Sequence, residues 1–294
     1  MGAPFLVDVC VCTFRRPSLA ATLASLKAQT LPADRFRIIV ADNDHEPSAQ
    51  ALVEQVLEAW GSFLYLHAPA RNISVARNAC LDVATADHVA WIDDDEVADP
   101  DWLECLIAAL EQNDCDAVFG SVQALYPDDA PRWSVSADLH SIRPVQTCRG
   151  VDTGFTSNAL VKRAVIGERR FDPDLGRSGG EDTDFFTRLH ADGARFAAAP
   201  GAVVRETVGQ ERLRLSWLLS RAFRSGQTHA RRHLTPGSRR ATQAGFALAK
   251  ACACAGMALL RLASPAGWRR ALTRGALHVG VVARLAGVRE GQLY

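Results

Sequence analysis

An α/β fold with a doubly wound, mostly parallel sheet and a C-terminal helical extension is the architecture that three features of this chain predict. Apolar strand-like runs alternate four times with helix-like runs in the first hundred or so residues. Two of those runs end in acids that such a sheet would bring to one edge. Beyond residue 210 the strand pattern stops and the charge changes. Residues 211–294 carry 15 Lys and Arg against only Glu211 and Glu290, although the whole chain balances 33 basic against 33 acidic residues. A chain of 294 residues can bury a full core, as one large domain or two smaller ones.

FLVDVCVCT (Phe5–Thr13) reads as a buried strand, and RRPSLAATLASLKAQ as an amphipathic helix with Leu19, Leu23 and Leu26 on one face. RFRIIVADND (Arg35–Asp44) is a second strand, SAQALVEQVLEAW a second helix and SFLYLHA a third strand. ISVARNACLDVATA and HVAWIDDDE complete the alternation. Right-handed crossovers between parallel strands follow from that order. Ligands of such sheets bind beyond the carboxyl ends of the strands, where Asp42, Asp44 and Asp93 to Asp95 fall. Asp116–Tyr126 reads as a strand, Pro127–Pro144 as a long loop, and VDTGFTSNALVKRAVI as a strand and short helix. GRSGGEDTDFFTRLHADG gives glycines, acids and a helix with Phe185, Phe186 and Leu189 inward, and ARFAAAPGAVVRETV gives short closing strands. From Glu211 only helical patterns remain, with Pro236–Gly237 and Ser264–Pro265 as breaks between them. The expected division is 1–210, with parts at about 1–120 and 121–210, and an extension at 211–294.

Eight cysteines include the close pairs Cys10/Cys12 and Cys252/Cys254 but no C-x-x-C, which argues against zinc and for reduced, buried thiols. No signal-like segment opens the sequence, so a cytoplasmic setting is expected. The nearest approach to a membrane span, Ala244–Ala263, is interrupted by Lys250 and Arg261. The basic extension implies an anionic partner. Arg221, Arg224, Arg231 and Arg232 near Trp217 and Phe223 suit an anionic membrane surface, and no nucleic-acid motif accompanies them. A solvated bundle packed on the body is the competing reading.

Four consecutive acids, Asp93 to Glu96, repel one another at the end of a buried strand unless a cation lies among them. Mg²⁺ and Mn²⁺ prefer oxygen ligands and usually take one or two protein carboxylates at a diphosphate, which Asp93 and Asp95 in D-x-D spacing could supply. The competing reading is a helix start, since acids favour a first turn and DPDWLECLIAAL is a good helix.

Five segments in order, VDVCVCTFRRPSLAATLASLKAQ, IIVADND, RNISVARNACL, WIDDDEVADPDWL and GRSGGEDTDFFTRLHADG, resemble family 2 glycosyltransferases of the GT-A fold, of the branch that makes succinoglycan-type polysaccharides. The resemblance spans about residues 5–225 and implies a Rossmann-type nucleotide-sugar domain. It implies that Asp42 accepts the imide N–H of uracil, hence a UDP-sugar. It sets Thr13 and Arg15 near base and ribose, with Arg16 adjacent, and Asn72, Arg77 and Asn78 along the nucleotide. Asp42 as a turn carboxylate and Arg77 as an exposed helix residue are the plainer alternatives. Asp93 would contact ribose or sugar and share the Mn²⁺ or Mg²⁺ with Asp95, and Asp94 would be secondary. Asp182 would be the catalytic base of an inverting transfer, or merely a helix cap with Glu181 and Asp184 beside it. Trp133, Asn158 and Glu181 would meet the acceptor, Trp133 either stacking on a sugar or pinning its loop. Glu206 lies where a further metal ligand could arise.

The expectation is therefore a metal-dependent transfer from a nucleotide sugar to a saccharide, lipid-linked, at the inner face of the cytoplasmic membrane. Two rivals remain. A sugar nucleotidyltransferase would show a glycine-rich loop after the first strand, and CTFRRPSL has no glycine. An inactive carbohydrate-binding or scaffold protein would not need Asp93, Asp95 and Asp182.

Overall fold

The first strand is apolar and buried on both faces, which is why it sits between two layers. In the computed structural model, which describes residues 6–146, 150–232 and 239–288, β1 (Val7–Thr13) turns Val7, Val9 and Val11 to one core and Cys10 to the other. The first core holds α1 (Leu19–Lys27) through Leu19, Leu23 and Leu26, and α2 (Gln50–Leu57) through Val53 and Leu57. The second holds α3 (Ile73–Val83) through Ala76 and Cys80. Between them lie β2 (Phe36–Asp42), β3 (Phe63–His67) and β4 (His88–Asp93), all parallel to their neighbours in the order β3-β2-β1-β4. Thr13 stands opposite Asp42, and Cys12 opposite Asp93, so the predicted acidic edge is real.

The second half is mixed rather than parallel. Past β4 the order continues β7-β6-β8-β5, where β5 is Glu96–Ala98, β6 Ala117–Leu125, β7 Asn158–Lys162 and β8 Phe196–Thr207. β7 runs antiparallel to both β4 and β6, β6 and β8 are parallel, and β5 is antiparallel to β8. α4 (Trp102–Gln112) adds Trp102, Leu103 and Leu106 to the first core, and α7 (Glu181–Ala191) adds Phe185, Phe186 and Leu189 to the second. Phe185 stacks on Phe171 at 4.1 Å between centroids, and Trp91 meets both rings edge-on.

Several boundaries differ from expectation. The strand read through Glu96 stops at Asp93, because Asp94 and Asp95 form a turn that sends the chain to the far edge as β5. The Pro127–Pro144 segment contains a short helix, α5 (Arg132–Ala137), and α6 (Arg163–Ile166) follows β7 directly. The closing short strands are one 12-residue strand, β8, with a register shift opposite Phe119 and Ser121. The seven described cysteines are free, and burial pushes the Cys10 thiol up.

Three helices form the extension: α8 (Leu215–Arg232), α9 (Arg239–Leu260) and α10 (Pro265–Leu285). Ser264 caps α10 by accepting the Gly267 amide, with Pro265 at its first position. α8 and α10 cross at glycines. A Cβ on Gly226 would stand 1.9 Å from the Leu277 carbonyl oxygen, and one on Gly280 1.9 Å from that of Phe223. Contrary to the sequence reading, Arg240–Leu260 is long and apolar enough to cross a membrane, by length and composition alone, and it is mostly exposed.

Candidate functional site

The carboxyl ends of β1 and β4 open into a cavity of about 460 Å³. Thr13, Asp93, Asp94 and Asp95 line it from the strand ends, Arg16 from the turn after β1, and Asn43 from the end of β2. Arg77 comes from α3, Gly179 and Glu181 from the start of α7, and Glu206 from β8. Arg212 and Arg221 arrive from the extension. The sheet dictates this grouping, since parallel strands deliver their carboxyl ends to one edge.

The acids are not a helix start, for α4 begins only at Trp102. They form the β4–β5 turn, where the Asp93 amide donates to Glu96 Oε2 at 3.0 Å. Burial pushes Asp93 up to about 7; Arg77 pulls against it, while Asp95, Asp94 and Glu206 push with it. Burial pushes Asp94 up to about 6, with Thr13 and Arg16 opposing. Asp95 is raised by burial and by Glu206, and the deeply buried Glu96 by burial and by Asp93. Glu96 faces Glu206 across the β5–β8 ladder. The site thus concentrates negative charge that its own carboxylates carry at a cost.

Cations already stand among these acids. Arg16 Nη1 lies 3.3 Å from Asp95 Oδ2. The neighbouring Arg15, with left-handed backbone (φ 53°), turns the other way and donates to Asp44 Oδ2 at 2.6 Å, holding that carboxyl down to about 2. Arg16 is therefore the arginine that faces the cavity. Arg77 is buried, not exposed: it pairs with Glu181 and lies 3.7 Å from Asp93. Burial opposes its charge, but Glu181, Asp93 and Asp182 outweigh that and raise its pKa. Glu206 pairs with Arg212. Arg212 and Arg221 lie 5.1 and 5.3 Å from the Trp217 ring, and burial followed by Arg212 lowers Arg221.

Gly179 and Gly180 carry the chain into α7 with φ of 89° and 85°. At Gly180 a Cβ would stand 2.3 Å from Thr228 Cγ2, so the left-handed turn and the packing of α8 both require glycine there. Gly180 itself is the N-cap, which removes the reading of Asp182 as the cap. Asp182 lies half-buried in the first turn, its Oδ1 accepting the Thr183 amide at 2.6 Å and its Oδ2 without a hydrogen bond among the described residues. Glu181 is more deeply set, raised by burial, with Oε2 buried and unpartnered.

Five expected contacts are corrected by the structure. Asp42 is fully buried and occupied: Oδ1 accepts the Asp44 amide, and Oδ2 accepts the Ala49 amide and the Tyr65 hydroxyl, so no uracil can reach it. Asn158 is also closed, accepting Trp102 Nε1 at 2.9 Å and donating to the Ser121 and Ala202 carbonyls. Asn78 is tied to Phe171 in both directions, and Asn72 caps α3 and donates to the Pro173 carbonyl. Both asparagines hold the α6–α7 segment against α3 instead of lining the cavity. Trp133 lies under Arg269 of α10 at 4.6 Å and pins α5 to the extension, outside the lining of the cavity.

Sequence reasoning missed Asn43, Arg212 and Arg221. The two arginines looked like part of a basic surface, and only the fold of the turn before α8 and of α8 itself brings them to the acids. His140 helps hold that helix, packed 5.5 Å from Trp217 and 5.8 Å from Tyr126; burial and then Arg212 and Arg221 lower it to about 4.

The donor set suits a hard divalent cation. Oxygen ligands lie together, their carboxyls raised by burial and mutual repulsion, which bound positive charge relieves. Among the described residues no three His, Cys, Asp or Glu side chains converge into a closed metal cage.

A model of "Glycosyl transferase family 2" matches residues 8–170. The chain is 47% identical to succinoglycan biosynthesis protein ExoM of Rhizobium meliloti (strain 1021), over 98% of this chain and 95% of that protein. It is 30% identical to a glucosyl-dolichyl phosphate glucuronosyltransferase of Haloferax volcanii, over 75% of each. Its fold resembles the mannosyltransferase PcManGT of Pyrobaculum calidifontis, solved with GDP-Man and Mn²⁺, at a TM-score of 0.67 with 19% identity, over 98% of this chain and 90% of that one. Residues 1–349 of S. aureus TarS, solved with UDP, align at 0.54 with 15% identity, over 96% and 91%. The shared architecture is GT-A, and with a family model spanning more than half its length and a close relative along nearly all of it, the chain belongs to glycosyl transferase family 2 and is a glycosyltransferase.

Proposed function

We propose that this glycosyltransferase moves a sugar from a nucleoside diphosphate donor, with inversion, to a saccharide acceptor carried on a lipid, in the assembly of an exported polysaccharide. The observation that carries the reading is the cavity in which Asp93, Asp94 and Asp95 face Arg16, Arg77, Arg212 and Arg221. Acids alone serve a cation and arginines alone serve an anion. Both together serve a metal-bound diphosphate. The similarity to a succinoglycan biosynthesis protein supports the product class, and the neighbours' GDP-Man and UDP support the donor class. The uracil argument rested on Asp42 and falls with it, so the base passes to a donor screen.

In this reading Asp95, with Asp93, holds Mn²⁺ or Mg²⁺, whose chemistry is to neutralise the departing diphosphate. Arg212 and Arg221 pair with diphosphate oxygens, and Arg16 swings from Asp95 to do the same. Arg77 fixes Glu181 and Asp93 relative to each other. Asp182 takes the proton of the acceptor hydroxyl as its oxygen bonds the anomeric carbon from the face opposite the diphosphate. The anomeric C–O bond breaks and its electron pair leaves with the nucleotide. Glu181 orients the acceptor from beneath.

The test is release of nucleoside diphosphate from UDP-, GDP- and TDP-sugars with and without Mn²⁺. One donor should respond to metal. Asp95→Asn should abolish metal-dependent donor binding and leave the melting temperature unchanged. Parental donor and Mn²⁺ binding by Asp95→Asn ends the metal assignment. No metal-dependent release from any donor ends the reading as a whole.

A further inference from the structure

A second cavity, of about 420 Å³, lies among the three helices of the extension. Its walls are Ala230 of α8, Phe246, Ala247 and Lys250 of α9, and Leu277 and Val281 of α10. His229, Gln243, His278 and Leu285 complete the lining. The volume falls within the roughly 300–1,000 Å³ of small-molecule sites. The lining is mostly apolar with a positive end, and the charge has no internal counterpart. Residues 212–288 contain no Asp or Glu at all. Lys250 has no carboxylate partner among the described residues. Burial, then Lys250 and Arg274, hold His278 below its ordinary value.

The cavity connects to two surfaces. One is the exposed apolar surface of α9, to which Phe246, Leu248, Met257, Leu259 and Leu260 contribute from more than one face; Phe246 belongs to both. The other is the active-site loop. On the turn of α8 that carries His229 and Ala230, Thr228 packs on Gly180, and Arg231 donates to the Gly179 carbonyl at 3.1 Å. Gly179 lines the catalytic cavity. A ligand in the second cavity therefore sits one helix thickness from the residues that precede Asp182.

We propose that this cavity binds a phosphate-bearing lipid, its chain along Phe246, Ala247, Leu277 and Val281 and its phosphate at Lys250. The inference deepens the reading of a lipid-carried acceptor and rests on it for the ligand's role. It assigns the anchoring of that acceptor to the extension rather than to the catalytic domain. An apolar chain alone would make no use of the exposed Lys250 ammonium beside the apolar wall, and a free phosphate would leave that wall unfilled.

The test is titration calorimetry of the full chain with dodecyl phosphate, dodecanol and inorganic phosphate, below the concentrations at which the amphiphiles aggregate. Dodecyl phosphate should bind at one site, at least tenfold more tightly than either fragment. Lys250→Glu should weaken it at least tenfold, and Lys250→Met should bring it level with dodecanol. Melting temperature and nucleotide-sugar hydrolysis should stay parental in both variants, since Lys250 lies outside the catalytic cavity. Equal binding of dodecyl phosphate and dodecanol by the parent overturns the proposal, as does parental affinity in a folded Lys250→Glu. A parent that binds dodecyl phosphate but hydrolyses no donor defeats the functional reading and leaves this site standing. Active hydrolysis without binding does the reverse.

Discussion

Asp182 and Glu181 are adjacent acids with opposite freedom. Glu181 lines the cavity but is locked by the buried Arg77, whereas Asp182, next to it in the chain, keeps one oxygen without a hydrogen bond among the described residues. A general base needs that freedom, because it must meet a hydroxyl that arrives with the acceptor. Asp182→Asn keeps the oxygen that accepts the Thr183 amide and loses only the proton acceptor. Transfer should fall about a hundred- to ten-thousand-fold while melting temperature and donor affinity hold. A fall in donor affinity would make Asp182 a ligand of metal or sugar instead, and parental turnover would remove it from the mechanism. At this scale the sequence told residue type and sheet edge but not side-chain direction. Asp42 ends β2 on the correct edge, yet its carboxylate turns inward to amides and Tyr65. Asn158 and Asn78 likewise carry site-like chemistry that is spent on the backbone of crossing segments. Polar groups buried at a sheet edge are satisfied by partners distant in sequence, which no local pattern reveals.

α8 carries two different duties along one helix. Its first turns bring Arg221 and Trp217 to the acids, and its last turns press Thr228 and Arg231 on the glycines before Glu181. α10 holds α8 in place through the close crossing at Gly226 and Gly280. Gly280→Leu should push the two helices apart, since its side chain meets the Phe223 backbone, which cannot rotate away. Overpacking of this kind costs about 1–3 kcal/mol. The melting temperature should drop, and donor hydrolysis should drop with it as Arg221 is displaced. Lost stability with parental hydrolysis would make the extension a mere support. The alternation of elements through α3 was legible because each strand is short, apolar and bounded by turns, and β1 and β2 are buried on both faces. The mixed half was not, for the antiparallel β7 and the edge strand β5 are set by long-range pairing. The boundary expected at residue 210 likewise hides the fact that α8 completes the site.

The charge split of the sequence becomes a spatial arrangement: acids collect at the sheet edge, arginines line the side of α8 that meets them, and the outer helices remain basic with an apolar side exposed. Such a surface should adsorb to anionic bilayers by inserting apolar side chains of α9 while Lys and Arg meet lipid phosphates. Deleting the extension is not a clean test, because α10 holds α8 and α8 holds the catalytic loop. Substitution on the outer side of α9 is cleaner. Leu259 and Leu260 are 69% and 84% exposed, so Glu at both should leave the fold and donor hydrolysis unchanged. The parent should pellet with phosphatidylglycerol vesicles at low salt. Pelleting should weaken at about 1 M salt, where the screening length falls to roughly 3 Å. A residue of binding should survive high salt, because insertion of apolar side chains is not screened. Leu259→Glu with Leu260→Glu should remove that salt-resistant part and much of the rest, through lost burial and added repulsion. Binding abolished by salt alone would mean electrostatic contact without insertion. Equal recovery in the supernatant with and without anionic lipid would leave the exposed side of α9 to protein contacts.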